Sequence, residues 1–99
     1  MLCIYYMHNR SVEIEFDFSK AEANESKHGV SFEEAASALL DPMALVIEEQ
    51  DAEGENRWVL LGMSNQARLL VVVYTLRDED RIRLISARKA TRAEQNRYA

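Results

Sequence analysis

The sequence predicts an α+β protein in which an antiparallel sheet of about four to five strands carries two N-terminal helices on one face and a short C-terminal helix. Apolar and acidic residues alternate over residues 12–18, as in a half-buried strand. Residues 19–41 then show the spacing of two capped helices, and four extended segments joined by short turns follow. Short turns join antiparallel neighbours, so the later strands form a meander.

The first helix has clear start and stop signals. Ser19 and Glu22 are spaced as a capping box, in which each side chain bonds to the backbone amide of the other. The helix that they begin runs to about His28, where Gly29 supplies a left-handed stop.

The second helix follows after two residues. Ser31 and Glu34 form another predicted capping box, and Pro42 ends the helix. Between them an apolar stripe recurs at helical spacing, so this helix lies flat on an apolar surface. The stripe consists of Phe32, Ala35, Ala36, Leu39 and Leu40.

Extended segments are predicted at residues 43–48, 57–63 and 69–76, and a last one begins at residue 81. Residues 69–73 are apolar on both faces and should therefore be central in the sheet. In the last strand, simple alternation places Arg88 on the same face as Ile82 and Leu84, opposite to the two preceding arginines. Thr91 and Glu94 then form the capping box of the C-terminal helix.

Length and composition predict one domain over residues 1–99. Residues 1–11 are either an edge strand or a disordered extension. The single cysteine, Cys3, excludes an internal disulfide and fits a reducing compartment. No apolar run approaches the ~20 residues of a membrane span. We therefore expect a cytoplasmic protein without a membrane partner.

The net charge of −5 conceals a strong asymmetry. Residues 1–55 hold three Lys or Arg against thirteen Asp or Glu, a balance of −10, whereas residues 56–99 hold nine against four, a balance of +5. Such polarity favours either a basic surface for an anionic partner or two halves that neutralise each other across the fold.

Motifs for common chemistries are missing from the sequence. It has no glycine-rich phosphate loop, no G-x-S-x-G and no cysteine or histidine cluster, so no cofactor or metal is expected. Dispersed cations remain as the candidates for binding or protonating a phosphodiester. They are Lys27, His28, Arg57, Arg77, Arg83, Arg88 and Lys89.

Each candidate has a structural alternative. Lys27 and His28 precede a glycine, where cations commonly interact with the last carbonyls of a helix. Arg57 and Arg77 flank strands and would also pair with the acidic turns at residues 51–55 and 78–80. Four further residues have similar explanations. Trp58 fits the core, Arg92 and Arg97 fit a solvated helix face, and Glu94 is explained by its capping box.

Residues 13–98 resemble the BrnT toxin family. The segments that carry the resemblance are F-D-F-S-K-A-E-A-N-E-S-K-H-G-V-S-F-E-E-A, D-P, R-W-V-L-L-G, R-L-L-V-V-V-Y-T-L-R and R-I-R-L-I-S-A-R-K-A-T-R-A-E-Q-N-R-Y. The most specific are N-x-x-K-H-G-V-S-F-E-E-A and the pair V-V-V-Y-T-x-R with I-S-A-R-K-A.

The resemblance implies a RelE-like fold and the toxin of a type II toxin-antitoxin system. Such a toxin is a metal-independent endoribonuclease, in which a ribose 2′-hydroxyl attacks the adjacent phosphate and growth is arrested. The implied partner is a BrnA-like ribbon-helix-helix antitoxin, in a complex of two toxins and two antitoxins that binds operator DNA through the antitoxin.

The resemblance also implies residue roles. The implied catalytic residues are Lys27, His28, Arg57, Arg77 and Arg88, and the implied RNA-binding residues are Arg83, Lys89 and Tyr98. A neutralising partner works most directly by covering such cations, so Arg92 and Arg97 are expected to contact the antitoxin. Two other functions stay open, a non-enzymatic co-repressor module and a toxin directed at gyrase.

Overall fold

The computed structural model describes residues 2–7, 10–50, 56–78 and 80–98, with side chains from residue 13 onward. Its centre is one six-stranded mixed sheet in the order β1-β2-β6-β5-β4-β3. The strands are β1 (Leu2–Met7), β2 (Arg10–Glu15), β3 (Leu45–Gln50), β4 (Asn56–Met63), β5 (Leu69–Asp78) and β6 (Arg81–Lys89). Three helices complete the fold, α1 (Phe18–His28), α2 (Phe32–Ala38) and α3 (Arg92–Gln95). None of the helices in these ranges is long and apolar enough to cross a membrane.

The prediction of an antiparallel sheet with about four to five strands is confirmed only in part, because the sheet is mixed and six strands are described. The meander from β3 to β6 is antiparallel as expected, but β2 pairs with β6 in parallel. A long connection separates these two strands in the sequence, so no hairpin forces them to run in opposite directions. Of the two alternatives for residues 1–11, the edge strand is observed, because β1 pairs antiparallel with β2.

The start of α1 also differs from the prediction. Asp17, not Ser19, is the N-cap residue, and its carboxylate accepts a hydrogen bond of 3.1 Å from the Lys20 amide. A carboxylate here satisfies a free amide and is favoured by the helix dipole, so the helix begins earlier than expected. The predicted stop at Gly29 is confirmed, with a φ of 71° and a bond from its amide to the Glu25 carbonyl.

The predicted starts of α2 and α3 are confirmed. Ser31 accepts a hydrogen bond from the Glu34 amide, and at α3 both bonds of the Thr91–Glu94 box form. The Glu34 side chain, however, does not return to Ser31, since it bonds to two residues of the β4–β5 connection. Leu40, predicted to continue the apolar stripe of α2, is 37% exposed.

Helices α1 and α2 cover the same face of the sheet. Asn24 of α1 accepts a bond from the Ala87 amide at 3.1 Å and donates to the Ala87 carbonyl at 2.8 Å. The core between helices and sheet is formed mainly by Ile14, Phe16, Val30, Phe32, Ala35, Ala36, Leu39, Leu60, Leu70, Val72, Ile82, Leu84 and Ala87. Trp58 packs against this core and stacks on Tyr74, with ring centroids 6.2 Å apart.

The opposite side of the sheet is here called the open face, and its central residues are Val59, Leu61, Val71, Val73 and Ser86. Among the described elements, α3 lies at one end of it. Leu61 and Val71 form a small second cluster there with Ala90, and Tyr98 packs against this cluster.

A β-bulge overturns the predicted position of Arg88. Val73 pairs with Ser86 but Tyr74 pairs with Leu84, so Ile85 is an extra residue in β6. An extra residue inverts the alternation that follows it. Ala87 therefore enters the core beneath α1, and Arg88 lies on the open face instead of the face of Leu84.

Candidate active site

The predicted site residues fall in three separate places. Lys27, His28 and Lys89 lie where α1 and β6 end, a region here called the sheet end. Arg88 and Arg97 lie on the open face near α3. Arg57, Arg77 and Arg83 belong to the strand segments farther from α3, so the ten predicted residues do not form one cluster.

His28 and Lys89 are brought to the same level by the Asn24–Ala87 contact. His28 lies four helical residues beyond Asn24, which is about 6 Å along α1. Lys89 lies two strand residues beyond Ala87 on the same side of the sheet, which is about 7 Å along β6. Helix α1 and strand β6 run in the same direction. The Gly29 carbonyl, just after α1, accepts a bond from Arg68, which directly precedes β5 and lies beside the end of β6. We infer that His28 and Lys89 lie at a similar level on this side of the sheet.

A buried ion pair supports this end of α1. The side chain of Glu34 is 1% exposed and accepts hydrogen bonds from Ser64 Oγ at 2.7 Å and Arg68 Nε at 2.8 Å. A second Arg68 nitrogen bonds to the other Glu34 oxygen and also to the Gly29 carbonyl, the latter at 3.2 Å. Arg68 therefore connects α2, β5 and the residue after His28.

The charges around Glu34 keep it ionised. Hydrogen bonds from Arg68 are the main cause that lowers its pKa, with help from Ser64 and the positive charge of Lys89, although burial opposes the shift. The same contact raises the pKa of Arg68.

A pocket of about 470 Å³ opens at the sheet end. Arg68 and Lys89 supply its cations, and the rest of its lining consists of Met63, Ala67, Leu69, Ala90 and Gln95. Within the described part of the chain, Lys27, His28 and Lys89 form no ion pair. Of the two pocket cations, Arg68 is held by Glu34, whereas Lys89 is available to an anionic group. His28 ends α1 at the same end of the sheet and is a candidate for proton transfer.

Arg88, in contrast, already holds a carboxylate. It makes two parallel hydrogen bonds of 2.8 Å to Glu94, whose Oε1 also accepts from the Thr91 amide. Arg88 is the main cause that lowers the pKa of Glu94 to about 2. The sequence assigned Glu94 to its capping box alone, and the fold adds this second role.

Acid should therefore weaken the attachment of α3. Because the folded pKa of Glu94, about 2, lies below its ordinary value of 4.5, the carboxylate stabilises the fold at neutral pH. That contribution is lost as the pH falls from about 4.5 towards 2. Thermal melts over this range should show the stability difference between the chain and Glu94→Gln shrinking with acid. A constant difference would mean that the ion pair does not contribute to stability.

The remaining strand arginines are far from the sheet end. Arg88 pairs with Val71, and Arg77 lies six residues along β5 from Val71, about 20 Å away. Arg77 contacts Glu15 at 3.3 Å, which places it against β2 instead of the predicted acidic turns. Of those turns, residues 51–55 lie outside the described residues. Arg83 pairs with Thr75, between these two levels of β5.

Arg57 and the C-terminal candidates also take defined positions. Arg57 is half-buried on β4 and pairs with Glu49 of β3. The Tyr98 hydroxyl bonds to Asp41, and this contact raises the pKa of Tyr98. Arg97 lines the open face, whereas Arg92 is exposed on α3.

Sequence reasoning missed Glu34, Ser64 and Arg68. Glu34 was explained by its position in a capping box, and Arg68 was one arginine before an apolar strand. Neither pattern signals a buried ion pair. One hint was available in the sequence. Glu34 lies between the apolar residues Phe32 and Ala35, which suggests that its side chain faces the interior.

The fold and the sheet end together define a small α+β protein with a cationic pocket suited to phosphate groups. The family model for the BrnT ribonuclease toxin of type II toxin-antitoxin systems matches residues 16–94, and the chain belongs to this family. It is thus a ribonuclease toxin of a type II system.

A solved structure gives the same result. The chain is similar to the ribonuclease toxin BrnT of Brucella abortus, with 25% sequence identity and a TM-score of 0.62. The similarity covers 80% of this chain and 96% of that one. A comparison with curated proteins found no match.

Proposed function

We propose that the chain cleaves RNA at the sheet end without a metal. The ribose 2′-oxygen attacks the adjacent phosphorus after its proton passes to a base, and the bond from phosphorus to the 5′-oxygen breaks as that oxygen receives a proton. The products are a 2′,3′-cyclic phosphate and a free 5′-hydroxyl. The observation that carries this proposal is the pocket lined by Lys89 and Arg68, at the end of the sheet where α1, which carries His28, also ends.

The roles follow from position and chemistry. His28 transfers a proton, with Lys27 as the adjacent candidate, since histidine readily exchanges protons near neutral pH. Lys89 stabilises the charge that grows on the phosphate in the transition state, and Arg68, which Glu34 holds in place, adds its positive charge at the pocket. This assignment moves the phosphate contacts from Arg57 and Arg77, which lie far from the pocket, to the two cations that line it.

The open-face arginines keep a role in holding flanking RNA. Arg88 donates a hydrogen bond to the Lys89 carbonyl and so lies beside a residue that lines the pocket. Arg83 continues the row of cations along the open face. Contacts to flanking phosphates would raise affinity without taking part in the chemistry.

The products provide the test. Purified chain should cut a single-stranded RNA in the presence of EDTA, and the fragments should carry 2′,3′-cyclic phosphate and 5′-hydroxyl ends. Lys89→Ala should slow cleavage strongly, whereas the matched variant Arg77→Ala, about 20 Å along the sheet, should change it little. A 5′-phosphate product or full inhibition by EDTA would refute the mechanism. Growth arrest with intact RNA and altered DNA supercoiling would instead favour the gyrase-directed alternative.

A type II toxin implies an antitoxin partner, and we propose that this partner is a BrnA-like ribbon-helix-helix protein. Because such antitoxins are dimers, the complex would contain two toxins and two antitoxins and would bind operator DNA through the antitoxin. Arg97 and Arg92, both exposed near α3, are the proposed contact residues. We place this complex in the cytoplasm, where its RNA substrate is found.

A further inference from the structure

We propose that the open face carries a groove for one amphipathic helix of the cognate antitoxin, with an acidic flank directed at Arg97. This inference rests on the antitoxin partnership but not on the proposed cleavage chemistry. The groove has a volume of about 510 Å³, and three neighbouring strands form its floor. The floor residues are Leu45, Ile47, Val59, Leu61, Val71 and Val73.

The floor is apolar and uncovered. Leu45 and Ile47 of β3 are 42% and 58% exposed, although they continue the apolar surface of β4 and β5. On the other face of the same sheet, α1 and α2 cover the apolar residues of β4, β5 and β6. An exposed apolar surface of this kind typically marks an interaction site.

The dimensions fit a single helix. Three adjacent strands span about 10 Å, close to the 10–12 Å diameter of a helix with side chains. From Leu45 to Glu49 the floor extends about 13 Å, which corresponds to about nine helical residues. The occupant should therefore present apolar side chains at positions i, i+3 or i+4, and i+7.

The walls specify the charge of the partner. Arg88 and Arg97 stand on the side of β6 and α3, whereas Glu49 stands on the side of β3. Glu94 already neutralises Arg88, but Arg97 forms no ion pair within the described residues. A helix with carboxylates along one flank would complement Arg97.

Two other occupants fit the groove less well. Single-stranded RNA binds through aromatic platforms on which bases stack, and none of the groove-lining residues is aromatic. A second copy of the chain would need a flat face, but α3 closes one end of this one. A partner helix meets both conditions.

The test uses two substitutions on one strand. Ile47 lies on the groove floor, whereas its neighbour Val46, 46% exposed, points to the opposite face. Affinity for the purified cognate antitoxin would be measured by calorimetry for Ile47→Lys and Val46→Lys, after melting curves establish that both fold. Ile47→Lys should weaken binding at least about tenfold, because a buried charge at an interface centre is costly. Val46→Lys should bind nearly as the parent does.

Two further measurements complete the test. Arg97→Glu should slow association at low ionic strength. In the complex, amide exchange should show one protected antitoxin segment of about nine residues or more. Equal affinities for the two lysine variants would overturn the proposal. A dimer of the free chain that Ile47→Lys dissociates and Val46→Lys does not would also overturn it, because a second copy of the chain would then occupy the groove. RNA cleavage by both free variants should match the parent, so failure of this proposal is distinguishable from failure of the cleavage mechanism.

Discussion

His28→Ala should reduce the rate of RNA cleavage by about 10²- to 10⁴-fold, the usual contribution of a general acid or base. His28 is the last residue of α1, is half-buried and does not belong to the buried core. Its removal should therefore leave the fold intact. The measurement is the single-turnover cleavage rate of a short RNA across neutral pH, where loss of a proton-transfer group should flatten the pH profile of the parent.

A second cation on α1 provides the control. Lys20 is exposed in the first turn of α1, at the opposite end of the helix from His28. Lys20→Ala removes one positive charge from the same helix and should change the rate less than about threefold, since it affects only long-range electrostatics. Equal losses in the two variants would mean that net charge, and not proton transfer, explains the effect of His28.

Glu34→Ala should lower the free energy of unfolding by about 3 kcal/mol. Breaking a buried ion pair typically costs 3–5 kcal/mol, and the lower end applies because Arg68 is still partly exposed. The substitution also leaves Ser64 without its acceptor and frees the Arg68 contact to the Gly29 carbonyl. We therefore expect cleavage to fall together with stability, since this contact holds the end of α1 that carries His28.

Urea denaturation measures the loss, and the neighbouring residue is the control. Glu33 has the same charge in the same turn of α2 but is exposed, so Glu33→Ala should cost less than about 0.5 kcal/mol. The double variant Glu34→Leu with Arg68→Met should recover most of the stability, because an apolar pair of similar volume leaves no buried charge without a partner. If the double variant is as unstable as Glu34→Ala, the ion pair is not the source of the effect.

Local signals correctly predicted much of the fold. Gly29 ends α1, the Thr91–Glu94 box begins α3, and the doubly apolar β5 lies in the interior of the sheet with strands on both sides. These features depend on residues close in sequence, which the chain itself displays. The start of α1 failed because Asp17 and Ser19 both suit an N-cap, and only the backbone conformation chooses between them.

Features that depend on distant residues were not predictable. The parallel pairing of β2 with β6 joins segments that are about 70 residues apart in the chain. No sequence pattern indicates that Ile85 is an extra residue in β6, yet it moves Arg88 from the helix-covered face to the open face. Functional roles inferred from strand alternation fail at such points, because one extra residue inverts every later side chain.

The sequence by itself determined the helix and strand order, the concentration of cations in its second half and the membership of the BrnT toxin family. Only the tertiary structure decided where the cations lie relative to one another. It placed Arg77 against β2, Arg88 on the open face, and Lys89 and Arg68 at one pocket. The physical reason is that a site is defined by distances across the fold. Those distances follow from the Asn24–Ala87 contact, the parallel pairing of β2 with β6 and the bulge at Ile85. The order of residues along the chain does not reveal any of these three features.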